Sequence, residues 1–312
     1  MLFRLVIVFL LFSCACWSQT MPNDFYSISM YFYDSEEKIR TQIHAEKVEP
    51  TNSYRYTASS PPVSFLTNRF LNSFSNDSTF KNINSKFSKR QKVGYQYGNI
   101  YPFSANVKLE VYANGRAHKA SGTIVSENIV ITAGHAIYLY KYGWADSIIV
   151  TSNYSDKENQ IKSKSIKYYI FKDFADSFNI KYDIGLLVLE EAIGIETGYI
   201  GLSYNDEIDY FLKTGYFYHL SYPSKSFIPS EKNLYNGKIQ FLNFGRFDSY
   251  NSKYDWVRYK QSAPKGESGS SFFAKNGSNY YLYGVLSMGV SSFVLISKEK
   301  FYTLKKIINS YK

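Results

Sequence analysis

The chain has 312 residues, of which 36 are Lys or Arg and 26 are Asp or Glu, so its net charge is +10. A basic surface suits acidic partners, but no nucleic-acid-binding motif accompanies the charge, so nucleic acid is not an expected partner. Both cysteines, Cys14 and Cys16, lie at the amino terminus, and the four histidines form no cluster with them. Neither a disulfide framework, nor a metal site, nor a cofactor is therefore predicted.

Residues 1–18 are predicted to be a signal peptide. Arg4 precedes an apolar run over residues 5–12, and small residues follow it. The run is too short for a permanent membrane helix, so we expect a secreted, extracellular protein without stable membrane insertion after signal removal. The run Leu11-Phe12-Ser13-Cys14 leaves a lipid anchor open as an alternative.

Residues 19–90 are predicted to be a propeptide or a flexible N-terminal region, so the protein would be made as a zymogen. The part over 51–88 is rich in Ser, Asn, Thr and Pro and has no sustained apolar period. The segment ends in the dibasic pair Lys89-Arg90, where processing would leave a product that starts near Gln91. A solvated charge cluster is the alternative interpretation of this pair.

Residues 91–312 are long enough for one domain with a substantial core. Alternating apolar and polar residues over 107–112 and 238–242 predict half-buried antiparallel strands. Turn residues separate many such runs, which favours barrels or a sandwich. A helix is predicted at the carboxyl end, with Ser297 as its cap. Its apolar face is predicted to consist of Phe301, Leu304 and Ile308.

Three segments of this domain supply a base, an acid and a hydroxyl in chain order. They are Thr132-Ala133-Gly134-His135, Tyr182-Asp183-Ile184-Gly185 and Gly266-Glu267-Ser268-Gly269-Ser270. A hydroxyl is a poor nucleophile at neutral pH, so an imidazole must take its proton and a buried carboxylate must orient the imidazole. His135, Asp183 and Ser268 are therefore the predicted catalytic residues, with an activity midpoint at about pH 6 to 7.

The local setting of each segment suits its role. His135 follows an apolar, β-branched run, and Asp183 opens another over residues 184–189 that would keep its carboxylate away from water. Glycines flank Ser268, so the backbone N–H groups of Gly266 and Ser268 can form an oxyanion hole. An α/β-hydrolase is disfavoured because it needs Gly-x-Ser-x-Gly and the order Ser, Asp, His.

These segments, in order from Tyr101 onward, resemble the chymotrypsin-fold (trypsin-like) serine proteases, most closely the secreted bacterial glutamyl endopeptidase group. Further matching runs cover residues 101–103, 120–125, 197–202, 214–216 and 283–289. The resemblance implies an all-β fold of two six-stranded antiparallel β-barrels with a C-terminal helix. His135 and Asp183 would come from the first barrel and Ser268 from the second.

The resemblance also implies a serine endopeptidase that hydrolyses peptide bonds through an acyl-enzyme. We expect it to act on a peptide or protein substrate, as a monomer and without a cofactor. A secreted, catalytically silent pseudoprotease that serves as a binding or adhesion module is the alternative.

The resemblance further assigns a substrate pocket. The pocket residues would be Ser262, Ala263, Leu286, Met288 and Gly289. Ser262 is not an aspartate, so a preference for Lys or Arg is not supported. Leu286 and Ala263 stand where glutamyl-specific relatives have a histidine and a hydroxyl, so a preference for Glu is not supported either. An apolar wall favours a medium or large uncharged substrate side chain.

Two neighbours of the predicted triad are assigned in the same way. The Ser287 hydroxyl is expected to hydrogen-bond Asp183 and keep that carboxylate oriented. Glu267 stands where several relatives have an aspartate that pairs with the new amino terminus after activation. Whether Glu267 does so is left open by the sequence.

Overall fold

β-Strands dominate the computed structural model of the chain. The structure describes residues 28–38, 40–44, 53–55, 87–154, 158–208, 211–212, 215–231, 233–289 and 291–312. The predicted signal peptide over residues 1–18 lies outside these ranges. No helix among the described residues is long and apolar enough to cross a membrane.

Three described strands lie before residue 91, and a fourth begins at that residue. They are β1 (Ser29–Asp34), β2 (Arg40–His44), β3 (Ser53–Arg55) and β4 (Gln91–Lys92).

The strands that follow build a closed six-strand barrel. Its strands are β5 (Asn106–Ala113), β6 (Arg116–Ser126), β7 (Ile129–Thr132), β10 (Ser147–Ser152), β11 (Ile161–Phe171) and β12 (Gly185–Leu189). Pairing of β10 with both β5 and β11 closes the ring. The small strands β8 (Tyr138–Leu139) and β9 (Gly143–Trp144) form a separate hairpin.

The alternation predicted over residues 107–112 is present in β5. Val107, Leu109 and Val111 are buried, and Tyr112 faces solvent. Lys108 is the exception, because its side chain is also buried. Its Nζ donates to Glu110 and lies 3.3 Å from the centre of the Tyr154 ring, which compensates for its burial.

The second half of the domain is a curled sheet. After β13 (Gly201–Asn205), its strands are β14 (Phe217–Ser221), β15 (Phe241–Gly245), β16 (Ser249–Asn251), β17 (Trp256–Arg258), β18 (Ser271–Asn276), β19 (Asn279–Met288) and β20 (Ser292–Leu295). The sheet runs in the order β16-β17-β20-β19-β18-β14-β15-β4.

The chymotrypsin-like all-β fold is thus confirmed, but the second unit differs from the closed barrel that was predicted. Among the described strands, β4 pairs with the outer edge of β15. Backbone groups on that edge are therefore not available to close the sheet.

Short helices connect the strands, and one longer helix ends the chain. They are α1 (Gly134–Ile137), α2 (Lys172–Ser177), α3 (Gly194–Thr197) and α4 (Lys298–Asn309), with 3-10 turns at Tyr95–Tyr97, Ile180–Tyr182 and Pro229–Glu231.

Helix α4 confirms the predicted C-terminal helix. Phe301, Leu304 and Ile308 are buried as predicted, and the Phe301 ring packs 5.1 Å from that of Tyr204 on β13. Ser297 occupies the N-cap position, but its hydroxyl makes no capping bond, so the predicted side-chain cap is wrong. Instead, its backbone carbonyl accepts the hydrogen bond from the Phe301 amide.

The strand predicted over residues 238–242 begins later, at Phe241. Gln240 explains the shift. Its side chain donates to the Phe103 carbonyl and to Asn106, and its own carbonyl accepts from the Val93 amide. These bonds tie Gln240 to the segment between the two sheets, so the ladder can start only after it.

A hairpin from the N-terminal region lies on the first barrel. β1 pairs with β2 on one edge and with β11 on the other. Tyr33 stacks on Trp144 with ring centres 4.7 Å apart, and Phe32 packs against Tyr169. These described parts of residues 19–90 are therefore strands of the barrel sheet.

Candidate active site

Asp183 lies between a 3-10 turn and β12, where its side chain is only 3% exposed. Its Oδ1 accepts the backbone N–H of His135 at 2.7 Å, and its Oδ2 lies 2.7 Å from His135 Nδ1. The Ser287 hydroxyl, from β19 of the other sheet, also donates to Oδ2. An ionised carboxylate can only accept, so Nδ1 carries the proton and Nε2 keeps its lone pair.

His135 reaches this position on helix α1, directly after β7. Gly134 makes the approach possible, because a Cβ there would lie 2.9 Å from the Phe174 ring and 3.2 Å from Asp183 Oδ1. Burial opposes protonation of the imidazole, but the charge and hydrogen bond of Asp183 outweigh it and raise the pKa of His135 above its ordinary value. The ring is still partly open to the cleft, with its side chain 36% exposed.

Ser268 lies on a turn that is pressed against the first barrel. The Ser268 carbonyl accepts from the Ser121 amide at 2.8 Å. A Cβ on Gly269 would lie 1.9 Å from Thr132 Oγ1, so only glycine allows this contact. Thr132 ends the strand that leads to His135, and the turn is thereby held close to the imidazole.

His135 and Ser268 line the same cavity, which has a volume of about 400 Å³. Its other lining residues include Lys119, Tyr140 and Lys141. No direct hydrogen bond joins the two described side chains of His135 and Ser268. Where an imidazole acts as the base for a hydroxyl, the bond between them is often long in the free protein and tightens when substrate binds.

The backbone before Ser268 takes a conformation that only glycine tolerates well. Gly266 has φ +90°, and a Cβ there would lie 2.7 Å from the Tyr222 carbonyl. Among the described residues, neither the Gly266 nor the Ser268 amide donates to a backbone carbonyl. Within the described chain, both N–H groups are therefore without a backbone partner, which an oxyanion hole requires.

Ser268 also lines a smaller cavity of about 180 Å³. Ala263, Leu286, Met288 and Gly289 line it, as the sequence predicts. Ser262 lies elsewhere, in a separate cavity with Lys89 and Arg90, and its carbonyl accepts from Arg90. The structure thus brings four of the five predicted pocket residues together with Ser268 and leaves Ser262 outside.

A family model for Trypsin matches residues 92–306, which is more than half of the chain. The chain belongs to the trypsin family. The predicted class, serine endopeptidase, is therefore confirmed at the level of the family.

Solved structures agree with this assignment at the level of the fold. A Glu endopeptidase in complex with MPD is 16% identical with a TM-score of 0.58, over 73% of this chain and 99% of that chain. The protease Anisep from Arthrobacter nicotinovorans is 20% identical with a TM-score of 0.50, over 61% and 88%. The thermostable serine protease AL20 from an extremophilic microorganism is 15% identical with a TM-score of 0.54, over 65% and 97%. The predicted likeness to glutamyl endopeptidases is thus confirmed for the fold.

A curated relative matches a shorter stretch. The "Extracellular metalloprotease" of Bacillus subtilis (strain 168) is 29% identical over 104 residues, which are 32% of this chain and 33% of that protein. The chain therefore spans about a third of that relative's length. Its name implies a metal, but in the described part of the chain no group of three or more His, Cys, Asp and Glu side chains could hold one. Asp183, the carboxylate beside His135, is already engaged by two hydrogen-bond donors besides the imidazole.

The sequence does not predict two features of the site. Phe227, from the segment after β14, lines the smaller cavity together with Pro264 and Lys265. Arg90 pairs with Glu267, the residue before Ser268. The sequence indicates Arg90 only as part of a dibasic processing signal. Nothing near Arg90 in the sequence connects it with Glu267, which lies 177 positions away.

Proposed function

We propose that the chain is a secreted serine endopeptidase whose catalytic residues are His135, Asp183 and Ser268. The observation that carries the proposal is the convergence on Asp183. Its carboxylate contacts His135 Nδ1 from one sheet and accepts from Ser287 of the other, and His135 lines the same cavity as Ser268. This is the arrangement that turns a serine hydroxyl into a nucleophile.

In the proposed mechanism, His135 Nε2 takes the proton of Ser268 as its Oγ attacks the carbonyl carbon of a peptide. The amides of Gly266 and Ser268 donate to the oxyanion that develops. His135 then gives its proton to the leaving nitrogen, the C–N bond breaks, and an acyl-enzyme remains on Ser268. Water, deprotonated by His135, hydrolyses this ester and regenerates the hydroxyl.

We propose that the cavity of about 180 Å³ receives the side chain on the acyl side of the cleaved bond. Its size suits a single side chain, because sites for whole small molecules are generally larger. Leu286 is buried in its wall, and Met288 is exposed to it. Apart from Lys265, whose Nζ lies 5.5 Å from the centre of the Phe227 ring, the lining carries no charged side chain, which supports a medium or large uncharged residue at this position.

Secretion is the location that we propose. Support comes from the predicted signal peptide over residues 1–18 and from the word "Extracellular" in the name of the Bacillus subtilis relative.

A serine-directed fluorophosphonate probe tests the proposal. We expect the wild-type protein to be labelled on Ser268 and to cleave a peptide library, and Ser268→Ala to lose both properties. Ser249→Ala, which changes an exposed serine on β16, serves as the matched control and should keep both. A folded wild-type protein that is not labelled, and that leaves every peptide intact, would instead point to a binding module.

A further inference from the structure

Glu267 lies between the two amides of the proposed oxyanion hole, yet its side chain points away from the cleft. The side chain is 0% exposed. Its Oε1 accepts from Arg90 Nε at 2.6 Å and from the Ser221 hydroxyl at 2.8 Å, and its Oε2 accepts from Arg90 Nη2 at 2.8 Å. The peptide that carries Gly266 and Ser268 is therefore anchored from inside the protein.

The Arg90 side chain is buried together with that of Glu267. It is 5% exposed, and Arg90 Nη2 also donates to the Ser262 carbonyl at 2.8 Å. One guanidinium thus joins the carboxylate next to the nucleophile to the segment that leads into the substrate pocket. Burial opposes its charge, but Glu267 raises the pKa of Arg90 overall, so the guanidinium stays charged.

The segment before Arg90 is built into the second sheet. The Phe87 ring stacks on Tyr259 with centres 4.3 Å apart. The Ser88 amide donates to the Phe244 carbonyl at 2.8 Å, and Gln261 donates to the carbonyls of Phe87 and Ser88. On the other side of Arg90, β4 pairs with β15. Arg90 is therefore fixed from both directions.

Resting on the proposed function, we propose that Arg90 is a positioning residue which holds the oxyanion loop through Glu267, and that the active enzyme keeps the chain from Phe87 onward. The dibasic pair Lys89-Arg90 is then not the site of activating cleavage. A cut after Arg90 would detach the guanidinium from the catalytic domain and place a new carboxylate beside Glu267. The same cut creates an ammonium on Gln91, but Gln91 is exposed and paired with Leu242 in the sheet, whereas Glu267 is buried. A buried carboxylate without its partner is strongly unfavourable, so the loop would move to reach water.

Substitution of Arg90 tests the positioning role. Arg90→Met keeps the bulk and removes the charge, and we expect kcat to fall by at least about 100-fold, as for loss of an oxyanion donor, with KM little changed. Arg90→Lys, which keeps the charge without the bidentate contact, should recover part of the loss. Lys89→Ala, at the exposed neighbour, should match the wild type. Each variant is assayed well below its melting temperature, so that reduced stability alone does not change kcat. A folded Arg90→Met protein with wild-type kcat would overturn the proposal.

The amino terminus of the active protein gives a second measurement, which holds even if Arg90→Met does not fold. Fluorophosphonate-labelled molecules are isolated and their intact masses and first residues are determined. We expect every labelled molecule to start at or before Phe87. A labelled, active form that starts at Gln91 would sink the inference while leaving the proposed function intact. Absence of label on the folded wild type would instead contradict the proposed function.

Discussion

The Ser287 hydroxyl on β19 donates to Oδ2 of Asp183, which precedes β12, so the two sheets meet at the carboxylate that orients His135. Asp183 Oδ2, the oxygen that faces the imidazole, thus also accepts a hydrogen bond from a residue of the sheet that carries Ser268. The orientation of the His135 ring is thereby coupled to the position of the sheet that carries Ser268.

Removal of this hydroxyl should lower activity and shift its pH dependence. For Ser287→Ala we expect kcat/KM to fall about tenfold, the usual worth of a hydrogen bond to a charged group. The midpoint of the pH profile should move upward, because Asp183 would attract the imidazolium more strongly without its donor. Ser287→Thr keeps a hydroxyl and is the control. Equal pH–rate profiles for wild type and Ser287→Ala would show that the bond has no catalytic effect.

The raised pKa of His135 should make the rate of peptide cleavage rise with pH and the His135 contribution to the unfolding free energy fall with pH. Activity needs the neutral imidazole, so it should rise with pH around a midpoint above the ordinary value of 6.5. The pairing of imidazolium with Asp183 stabilises the fold fully below the unfolded pKa, and this contribution is lost as pH rises through the folded pKa.

Urea unfolding of the wild type and of His135→Phe measures that contribution. The difference in unfolding free energy between them should be larger at about pH 5.5 than at about pH 8.5. A difference that is constant across this range would argue against the raised pKa.

Gly269 is expected to be the least replaceable glycine of the nucleophile turn. Gly269→Ala combines φ +83° with a Cβ placed 1.9 Å from Thr132 Oγ1, so we expect a loss of about 3 kcal/mol or more in unfolding free energy. Gly277→Ala has φ +62° but open space around the Cβ, and should cost only about 1 kcal/mol. Denaturant unfolding of both variants checks the prediction, and equal losses would count against steric contact as the cause.

Specificity provides a paired test of where the pocket lies. Met288→Glu places a carboxylate in the cavity beside Ser268, and we expect cleavage after Lys or Arg to increase at least about tenfold. Ser262→Asp should not have this effect, because Ser262 lies in the separate cavity beside Arg90. Peptide-library profiling of wild type and both variants gives the answer. A wild type that strongly prefers Glu or Arg would contradict the proposed uncharged preference.

Local patterns in the sequence were sufficient where the structure depends on near neighbours. The apolar runs before His135 and after Asp183 became β7 and β12, and the C-terminal stripe became helix α4. The start of β15 was predicted too early because Gln240 is fixed by partners far along the chain. An alternating pattern cannot reveal such contacts.

The candidate site shows the same difference between features that depend on near neighbours and features that depend on distant contacts. Motifs with distinctive local frames predicted His135 and Asp183, and the family resemblance predicted the contact of Ser287 with Asp183. The sequence predicts Arg90 only as half of a dibasic processing signal, since its charge is visible in the sequence but its burial and its bond to Glu267 are not. Ser262 was assigned by its distance from Ser268 along the chain, whereas the path of the backbone turns its carbonyl toward Arg90.

The N-terminal hairpin also determines how the barrel meets its surroundings. Residues 30–34 occupy the free edge of β11 over Lys167 to Phe171 and cover the rings of Tyr168 and Tyr169. Release of this hairpin would uncover a row of unpaired amides and carbonyls next to an aromatic surface. An exposed edge of this kind readily accepts a strand from another molecule. Proteolysis that removes the chain before Phe87 would remove this hairpin as well. The protein would then be prone to self-association through the exposed edge of β11.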